Sequence, residues 1–134
     1  MADPCLPVVL VAAAGTTDAE RASLADAAAL WNAVAPLHLG VEPIAGATTI
    51  PVRFESAPLA FLGAYEPDQK DVVVNSEIPD EPTRAIVLAH ELGHAFGMAH
   101  IEGRPSVMNA SNSTVAPNAT DAAALAALWG SCGE

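Results

Sequence analysis

Basic residues are scarce in this chain. Of its 134 residues only five are Lys or Arg, against sixteen Asp or Glu, and the formal net charge is −11 with histidine counted as neutral. Nucleic acids and anionic membranes are polyanions that bind proteins through clusters of Lys and Arg, so we expect neither as a partner. The acidic surface either serves solubility alone or attracts basic peptides.

Long apolar runs are missing as well. No stretch approaches the roughly 20 apolar residues that span a bilayer, and the apolar run 8–14 follows Asp3 and no Lys or Arg, which is atypical of a signal-peptide core. A chain that is 51% apolar and 16% charged nevertheless has the composition of a folded globular protein. At this length it should form a single domain, 1–134. We expect a mature or truncated form whose leader or propeptide is not part of the chain.

Histidine is rare too, and its placement is the most informative feature of the sequence. Three of the four histidines fall in HELGHAFGMAH, which has the spacing H-E-x-x-H-x-x-G-x-x-H. On an α-helix, His90 and His94 project from one face and can hold one ion. Glu91 is displaced by about 100° and can reach a water molecule on that ion. Gly97 suits a left-handed cap that ends the helix, after which the chain can bring in His100.

Three neutral imidazoles with one open position are typical of a catalytic zinc site, whereas structural zinc sites use four protein ligands and often cysteine. We therefore predict one zinc ion bound by His90, His94 and His100, with Glu91 as general base for a metal-activated water. A helix that carries two surface histidines is the alternative, and the completeness of the longer pattern disfavours it. The fourth histidine, His38, is expected to face solvent from a strand.

Because every fixed position of the H-E-x-x-H-x-x-G-x-x-H motif is present, the sequence resembles the metzincin zinc endopeptidases. Among them it is most similar to a minimal catalytic domain of the matrixin, or matrix metalloproteinase, type. Met108 in SVMNA lies where the family has a methionine turn beneath the metal. The segment LWNAVAPLHL resembles the end of the first matrixin helix and the strand after it. DAAALAALWG resembles the C-terminal helix, with Trp129 at a position where an aromatic residue is usual. The likeness extends from about Val8 to Gly130 and is loose between these motifs.

The resemblance implies an α/β zincin fold. Such a fold has a twisted, mostly parallel five-stranded sheet with one antiparallel edge strand, an active-site helix and a C-terminal helix. It divides the chain into an upper part of about 1–97 and a lower part of about 98–134. The resemblance also gives Asp121 the role of a brace for the methionine turn.

In this fold the edge strand forms the upper rim of the cleft, and the resemblance places 60–65 there. An unpaired edge strand offers N–H and C=O groups to an extended peptide, so we expect a protein or peptide substrate to bind along Leu62, Gly63 and Ala64. Gly63 would either let the peptide approach closely or relieve crowding within the strand. The protein is expected to be a secreted monomer.

Two departures from the matrixin pattern affect the prediction. Only thirteen residues lie between Glu55 and Gln69. The long loop that holds a structural zinc and calcium in vertebrate matrixins is therefore missing, and we expect no second zinc. Ile101 and Glu102 replace the family's serine, and the segment after Met108 lacks its usual tyrosine, so the wall of the specificity pocket should differ.

Local patterns place the remaining elements. Thr17 and Glu20 form a capping box ahead of apolar residues at helical spacing. Asp80 with Pro82 marks the start of the active-site helix. The turn EPDQK between two short apolar runs indicates an antiparallel hairpin. The predicted elements are strand 7–14, helix 18–35, strands 37–43, 48–55, 60–65 and 71–75, an active-site helix starting near 80–82, and a C-terminal helix 121–130.

Cys5 and Cys132 are the only cysteines, one near each end. In a small domain of an extracellular type they predict a disulfide that closes a loop of 127 residues. Such a bridge stabilises the fold by roughly 4 to 5 kcal/mol on the chain-entropy model. Two free thiols are one alternative. The other is latency, because DPCLP faintly resembles the propeptide segment in which a matrixin cysteine blocks the zinc.

The loop after His100 contains three N-x-S/T triplets, at Asn109, Asn112 and Asn118. They are either glycosylation acceptors in a eukaryotic secreted protein or ordinary polar loop residues. The position of Asn109 next to Met108 favours the second interpretation. The loop is also rich in turn-forming residues.

The expected function is hydrolysis of peptide bonds by a zinc-dependent endopeptidase. The bound water, its pKa lowered toward about 7 by zinc, would lose a proton to Glu91 and attack a carbonyl that the metal polarises. Glu91 would then pass the proton to the leaving amine. A nucleophilic triad is not expected, because no histidine remains for one. The alternatives are a binding module that keeps the zinc fold without turnover and a non-peptidase metal hydrolase.

Overall fold

The computed structural model describes residues 1–132 and contains five strands and three helices in them. In chain order these are β1 (Val8–Ala12), α1 (Asp18–Asn32), β2 (Leu39–Gly40), β3 (Thr48–Glu55), β4 (Gly63–Glu66), β5 (Asp71–Asn75), α2 (Glu81–Ala95) and α3 (Ala119–Trp129). The sheet order is β2-β1-β3-β5-β4, and every neighbouring pair is parallel except β4 and β5. An α/β architecture with a mostly parallel sheet and one antiparallel edge strand is thus confirmed. The last two residues of the predicted lower part, 133–134, lie outside the described residues.

Helices α1 and α2 pack against each other and against the sheet. At the start of α1, the Thr17 hydroxyl accepts from the Glu20 N–H (3.1 Å) and the Glu20 carboxylate accepts from the Thr17 N–H (3.0 Å), which is the predicted capping box. Near the end of α1, Trp31 is fully buried. Its indole N–H donates to the carbonyl oxygen of Ala89 (2.9 Å), and its ring meets Phe96 edge-on. Trp31 thereby fixes α2 against α1.

Helix α1 ends at Asn32, three residues before its predicted end. The side chain of Asn32 accepts from the N–H of Leu39 (3.1 Å) and donates to its carbonyl oxygen (2.8 Å), which draws the chain out of the helix and toward the sheet. Strand β2 is only two residues long rather than the predicted 37–43, because it pairs with only Val8 and Val9.

The edge strand is predicted at 60–65 but spans Gly63–Glu66. The fully buried side chain of Asn75, on the neighbouring strand β5, explains the late start. Its Nδ2 donates to three carbonyl oxygens within 57–61, and its Oδ1 accepts from an N–H of the same segment. These bonds hold the segment before β4 in a turn. A strand in this segment would instead need backbone hydrogen bonds to β5, so β4 begins only at Gly63.

Cys5 and Cys132 form a disulfide with their Cα atoms 5.0 Å apart, so the predicted pairing is confirmed. The bridge joins the segment before β1 to the segment after α3. Neither cysteine is therefore a free thiol. In the part of the chain that the structure describes, no helix combines the length and the apolar character needed to cross a membrane.

Candidate metal centre

Helix α2 carries two of the three predicted ligands. Its start is capped by Asp80, whose side chain accepts from the N–H of Thr83 (2.9 Å) and from the Thr83 hydroxyl. These hydrogen bonds, the hydroxyl's first, lower the pKa of Asp80 below its ordinary value of 3.8. The carboxylate therefore stays charged at the helix N-terminus, where the helix dipole favours negative charge.

The end of α2 turns the chain back toward the third ligand. Gly97 has a φ of +93°, its N–H donates to the carbonyl of His94 (2.9 Å), and the N–H of Met98 donates to the carbonyl of Gly93 (2.9 Å). This pair of bonds forms a Schellman cap, with glycine in the left-handed position expected from the sequence. His100 follows three residues later and reaches the face of α2 that carries the other two histidines.

The final carbonyl groups of α2 find partners in distant segments. The carbonyl of Ala95 accepts from the N–H of Ala2 (2.8 Å), and that of Phe96 accepts from the indole N–H of Trp129 in α3 (2.8 Å). Helix ends leave such carbonyls without intrahelical partners. The end of α2 is thus held from two sides.

The structure brings His90, His94 and His100 together. One ring nitrogen from each lies within 4.8 Å of the others, and the ring centroids are 4.9, 5.3 and 5.0 Å apart. A group of this kind can hold a metal ion. His38 is exposed, as expected, and lies outside the cluster.

Two backbone carbonyls select the tautomer of the ligands on α2. Nδ1 of His90 lies 2.7 Å from the carbonyl oxygen of Val107, and Nδ1 of His94 lies 2.9 Å from that of Met98. A carbonyl oxygen can only accept, so each Nδ1 carries the hydrogen and each Nε2 presents a lone pair. Burial lowers the pKa of both imidazoles, although these hydrogen bonds oppose the shift. Neutral rings with free Nε2 lone pairs are what a metal ion requires, so the donor set fits one.

Glu91 lies beside the cluster, with 7% of its surface exposed. Its Oε2 is 4.0 Å from Nε2 of His90. Burial removes water from the carboxyl group and raises its pKa to about 7, while a hydrogen bond from the backbone of Tyr65 partly opposes that rise. A carboxyl group that changes protonation near neutral pH is suited to accept and return a proton.

The three histidines and Glu91 line one open cleft of about 330 Å³. The segment 60–65 lines it as well, and so do Ser111 and Asn112 from the loop before α3. No Lys or Arg is among the cleft residues that the structure describes. No family model matches this chain, and neither does any curated protein. The chemistry of the cleft is therefore the basis for assigning a function.

The three residues predicted to bind substrate, Leu62, Gly63 and Ala64, all line this cleft. The carbonyl of Leu62 accepts from the N–H of Asn75 in β5 (2.8 Å). Because the backbone groups of an antiparallel strand alternate in direction, those of Leu62 and Ala64 face β5, whereas those of Gly63 and Tyr65 face the open edge. Of the three predicted residues, only Gly63 offers its backbone to a peptide.

Gly63 also serves the packing of the protein itself. A Cβ at this position would lie 2.8 Å from the carbonyl oxygen of Val73 in β5 and 3.1 Å from Cγ1 of Val87 in α2. The first of these atoms belongs to the sheet backbone and has little freedom to move. Of the two roles expected from the sequence, relief of crowding is the one visible in the fold.

Gly93 is a site residue that the sequence prediction missed. A Cβ here would lie 2.4 Å from Sδ of Met108, which is fully buried against this point of α2, between two ligands. A glycine inside a helix is less favourable than alanine by about 1 kcal/mol. A glycine within α2, two residues before the helix ends and between two predicted ligands, is therefore a signal of close packing.

Asp121 is fully buried and holds the loop that carries Met108. Its carboxylate accepts from the hydroxyl of Ser106, from the N–H of Val107 (2.9 Å) and from the N–H of Asn118 (3.0 Å). These contacts place Asp121 against the turn that the resemblance expects it to brace. They also fix the residue whose carbonyl orients the first histidine ligand.

Proposed function

We propose that this protein is a zinc-dependent endopeptidase with a matrixin-like metzincin fold. The observation that carries the proposal is the convergence of three imidazole nitrogens within 4.8 Å, beside the buried carboxyl group of Glu91 and in an open cleft. Three histidines, with no fourth ligand in the cluster found among residues 1–132, match a catalytic zinc site better than a structural one. The antiparallel edge strand beside the cleft also agrees with such a fold.

Zinc is the proposed metal because imidazole nitrogen suits it, whereas Mg²⁺ and Ca²⁺ take oxygen ligands. Zinc would supply a Lewis acid that lowers the pKa of water to about 7 and polarises a carbonyl group. His90, His94 and His100 would hold the ion. The carbonyls of Val107 and Met98 would keep two of these rings oriented.

Glu91 is the proposed general base and then general acid. Its carboxylate would accept a proton from the water that attacks the peptide carbonyl, and would then donate that proton to the leaving amine nitrogen. In the protein without metal, burial raises the pKa of this carboxyl group to about 7, and the positive charge of a bound zinc ion would favour the carboxylate form that accepts the proton. Glu91 lines the same cleft as the edge strand, where the substrate would lie.

The proposed substrate is an extended peptide that adds to β4 as a further strand. The outward N–H and C=O of Gly63 and the outward C=O of Tyr65 would pair with it. Main-chain pairing is insensitive to side chains, so preference for a particular peptide would come from the part of the cleft near Ser111 and Asn112.

An extracellular location and a monomeric state complete the proposal. The Cys5–Cys132 disulfide supports the location, because disulfides persist in oxidising compartments. A net charge of −11 and the lack of Lys or Arg among the described residues of the cleft favour a neutral or basic peptide as substrate over a nucleic acid.

Metal analysis tests the ligands. The protein should bind about one zinc per chain, as expected for three histidines with one open position. The variants His90→Ala, His94→Ala and His100→Ala should each lose most of it. His38→Ala is the matched control and should keep it, since His38 is exposed and outside the cluster. Two tightly bound zinc ions, or full occupancy in His100→Ala, would show that the ligand assignment is wrong.

A cleavage assay on casein or a peptide library, with and without chelator, tests the activity. Glu91→Gln keeps the shape of the side chain but removes the base, and should lower the rate about 100-fold or more at unchanged zinc content. Glu42→Gln, at an exposed acid of the loop between β2 and β3 and outside the cleft, should behave like wild type. Equal cleavage by wild type and Glu91→Gln, or none by zinc-loaded wild type, would favour a binding module instead.

A further inference from the structure

The side chain of Asn112, although it lies in a loop, uses its full hydrogen-bonding capacity. It is 8% exposed. Its Nδ2 donates to the carbonyl oxygens of Val107 (3.1 Å) and Val115 (2.7 Å), and its Oδ1 accepts from the N–H groups of Thr114 (3.2 Å) and Val115 (2.9 Å). A primary amide has two N–H donors and two acceptor lone pairs, so every one of them is used.

One of these bonds ends on the atom that orients a metal ligand. The carbonyl oxygen of Val107 accepts both from Nδ2 of Asn112 (3.1 Å) and from Nδ1 of His90 (2.7 Å). A carbonyl oxygen has two lone pairs, and the two donors occupy both. The position of this oxygen is therefore set jointly by the histidine and by the asparagine.

The same asparagine holds a wall of the cleft. Ser111 and Asn112 both line the space beside the histidines. Ser111 has a φ of +55°, a left-handed conformation that is uncommon for a residue other than glycine. The buried bonds of Asn112 supply the stabilisation that keeps this strained turn in place.

We propose that Asn112 is a positioning residue that couples the wall of the substrate cleft to the metal ligand His90 through their shared acceptor, the Val107 carbonyl. A displaced wall would move this oxygen and reorient the imidazole. A bound metal would in turn stiffen the wall. The coupling to substrate rests on the proposed peptidase function, whereas the coupling to metal does not.

This role is incompatible with glycosylation at the triplet Asn112-Ser113-Thr114. An N-linked sugar replaces one of the two amide hydrogens, so either the Val107 or the Val115 bond would be lost. The side chain is also buried. The proposed role therefore requires Asn112 to be an unmodified amide.

Asn112→Asp is the central variant, because it keeps the shape of the side chain and removes both donors. Thr114→Ala is the matched control: it removes the glycosylation triplet, and the exposed Thr114 side chain makes no hydrogen bond among those described. Zinc affinity is measured by competition with a chromophoric chelator. Asn112→Asp should bind zinc about 10-fold more weakly, as is usual when a group that supports a ligand is changed, and Thr114→Ala should equal wild type.

A second measurement uses wild-type protein and does not depend on the folding of a variant. Zinc titration should shift the side-chain amide NMR resonances of Asn112. Those of Asn32, which bonds to Leu39 and does not line the cleft, should stay unchanged. If cleavage is observed, Asn112→Asp should also change KM for peptides more than Thr114→Ala does.

The outcomes separate this inference from the proposed function. Zinc binding without cleavage would contradict the peptidase and leave the coupling intact. Equal zinc affinity in Asn112→Asp and wild type, or Asn112 amide resonances that ignore zinc, would overturn the coupling alone. A wild-type protein that binds no zinc would overturn both.

Discussion

The hydrogen atom that Gly93 has in place of a side chain lets Met108 lie against α2 between His90 and His94. The sulfur would be only 2.4 Å from an added methyl carbon. The contact joins the helix that carries His90 and His94 to the loop that Asp121 holds and that contains Val107. The absence of a side chain at Gly93 thus allows the close packing that sets the relative position of helix and loop.

Gly93→Ala should therefore lower both the free energy of unfolding and the zinc affinity, although alanine favours the helix by about 1 kcal/mol. Forcing a methyl group into a packed core costs about 1 to 3 kcal/mol, so a net loss is expected. Denaturant unfolding and chelator competition measure the two effects. In a Met108→Ala background the same change should cost much less, because the clashing sulfur is gone. Equal losses in both backgrounds would mean that Met108 is not the cause.

At the level of elements, the start of α2 should make stability depend on pH. The pKa of Asp80 is lowered by its bonds to Thr83, so the cap stabilises the fold fully above the ordinary value of 3.8 and is lost as pH falls through the lower folded pKa. Asp80→Asn keeps a good capping side chain without the charge. Wild type should be the more stable protein at pH 6, and the difference should disappear in strong acid. A difference in unfolding free energy that does not vary with pH would contradict this account.

If a peptide substrate pairs with β4, blocking its backbone N–H groups one at a time should affect cleavage at every second position. Outward backbone groups occur only at every second residue of the strand, so only every second residue of a bound peptide can pair with it. Peptides with a single N-methyl group at successive positions should lose kcat/KM in alternation, by roughly 5-fold where one hydrogen bond is lost. The protein is unaltered, so its zinc content cannot explain the pattern. Losses without alternation would show that the peptide does not lie along β4.

The elements differ in how well the sequence predicts them. The start and end of α2 follow from Asp80 and Gly97, because caps depend on residues within one turn of the helix. The starts of β2 and β4 do not follow from local pattern. They depend on Asn32 and Asn75, whose amide groups bond to backbone groups 7 and 14 residues away, beyond the reach of a local pattern.

For the whole molecule, reduction of the Cys5–Cys132 bridge should lower the free energy of unfolding by up to about 4 to 5 kcal/mol, the chain-entropy value for a loop of 127 residues. Zinc should remain bound, because no cysteine belongs to the histidine cluster found among residues 1–132. The double variant Cys5→Ser/Cys132→Ser should be insensitive to the reductant. If reduction changed activity at unchanged stability, latency through Cys5 would explain the cysteine better.

Features that short segments encode can be predicted from the sequence alone. The spacing of His90 and His94 places two imidazoles on one helix face, and Gly97 ends that helix so that His100 can return to it. The groups that complete the site come from distant segments and are identified only in the folded chain. The carbonyl of Val107 orients His90, and the amide of Asn112 shares that oxygen. Such contacts leave no periodic or capping pattern, because they join residues that become neighbours only when the chain folds.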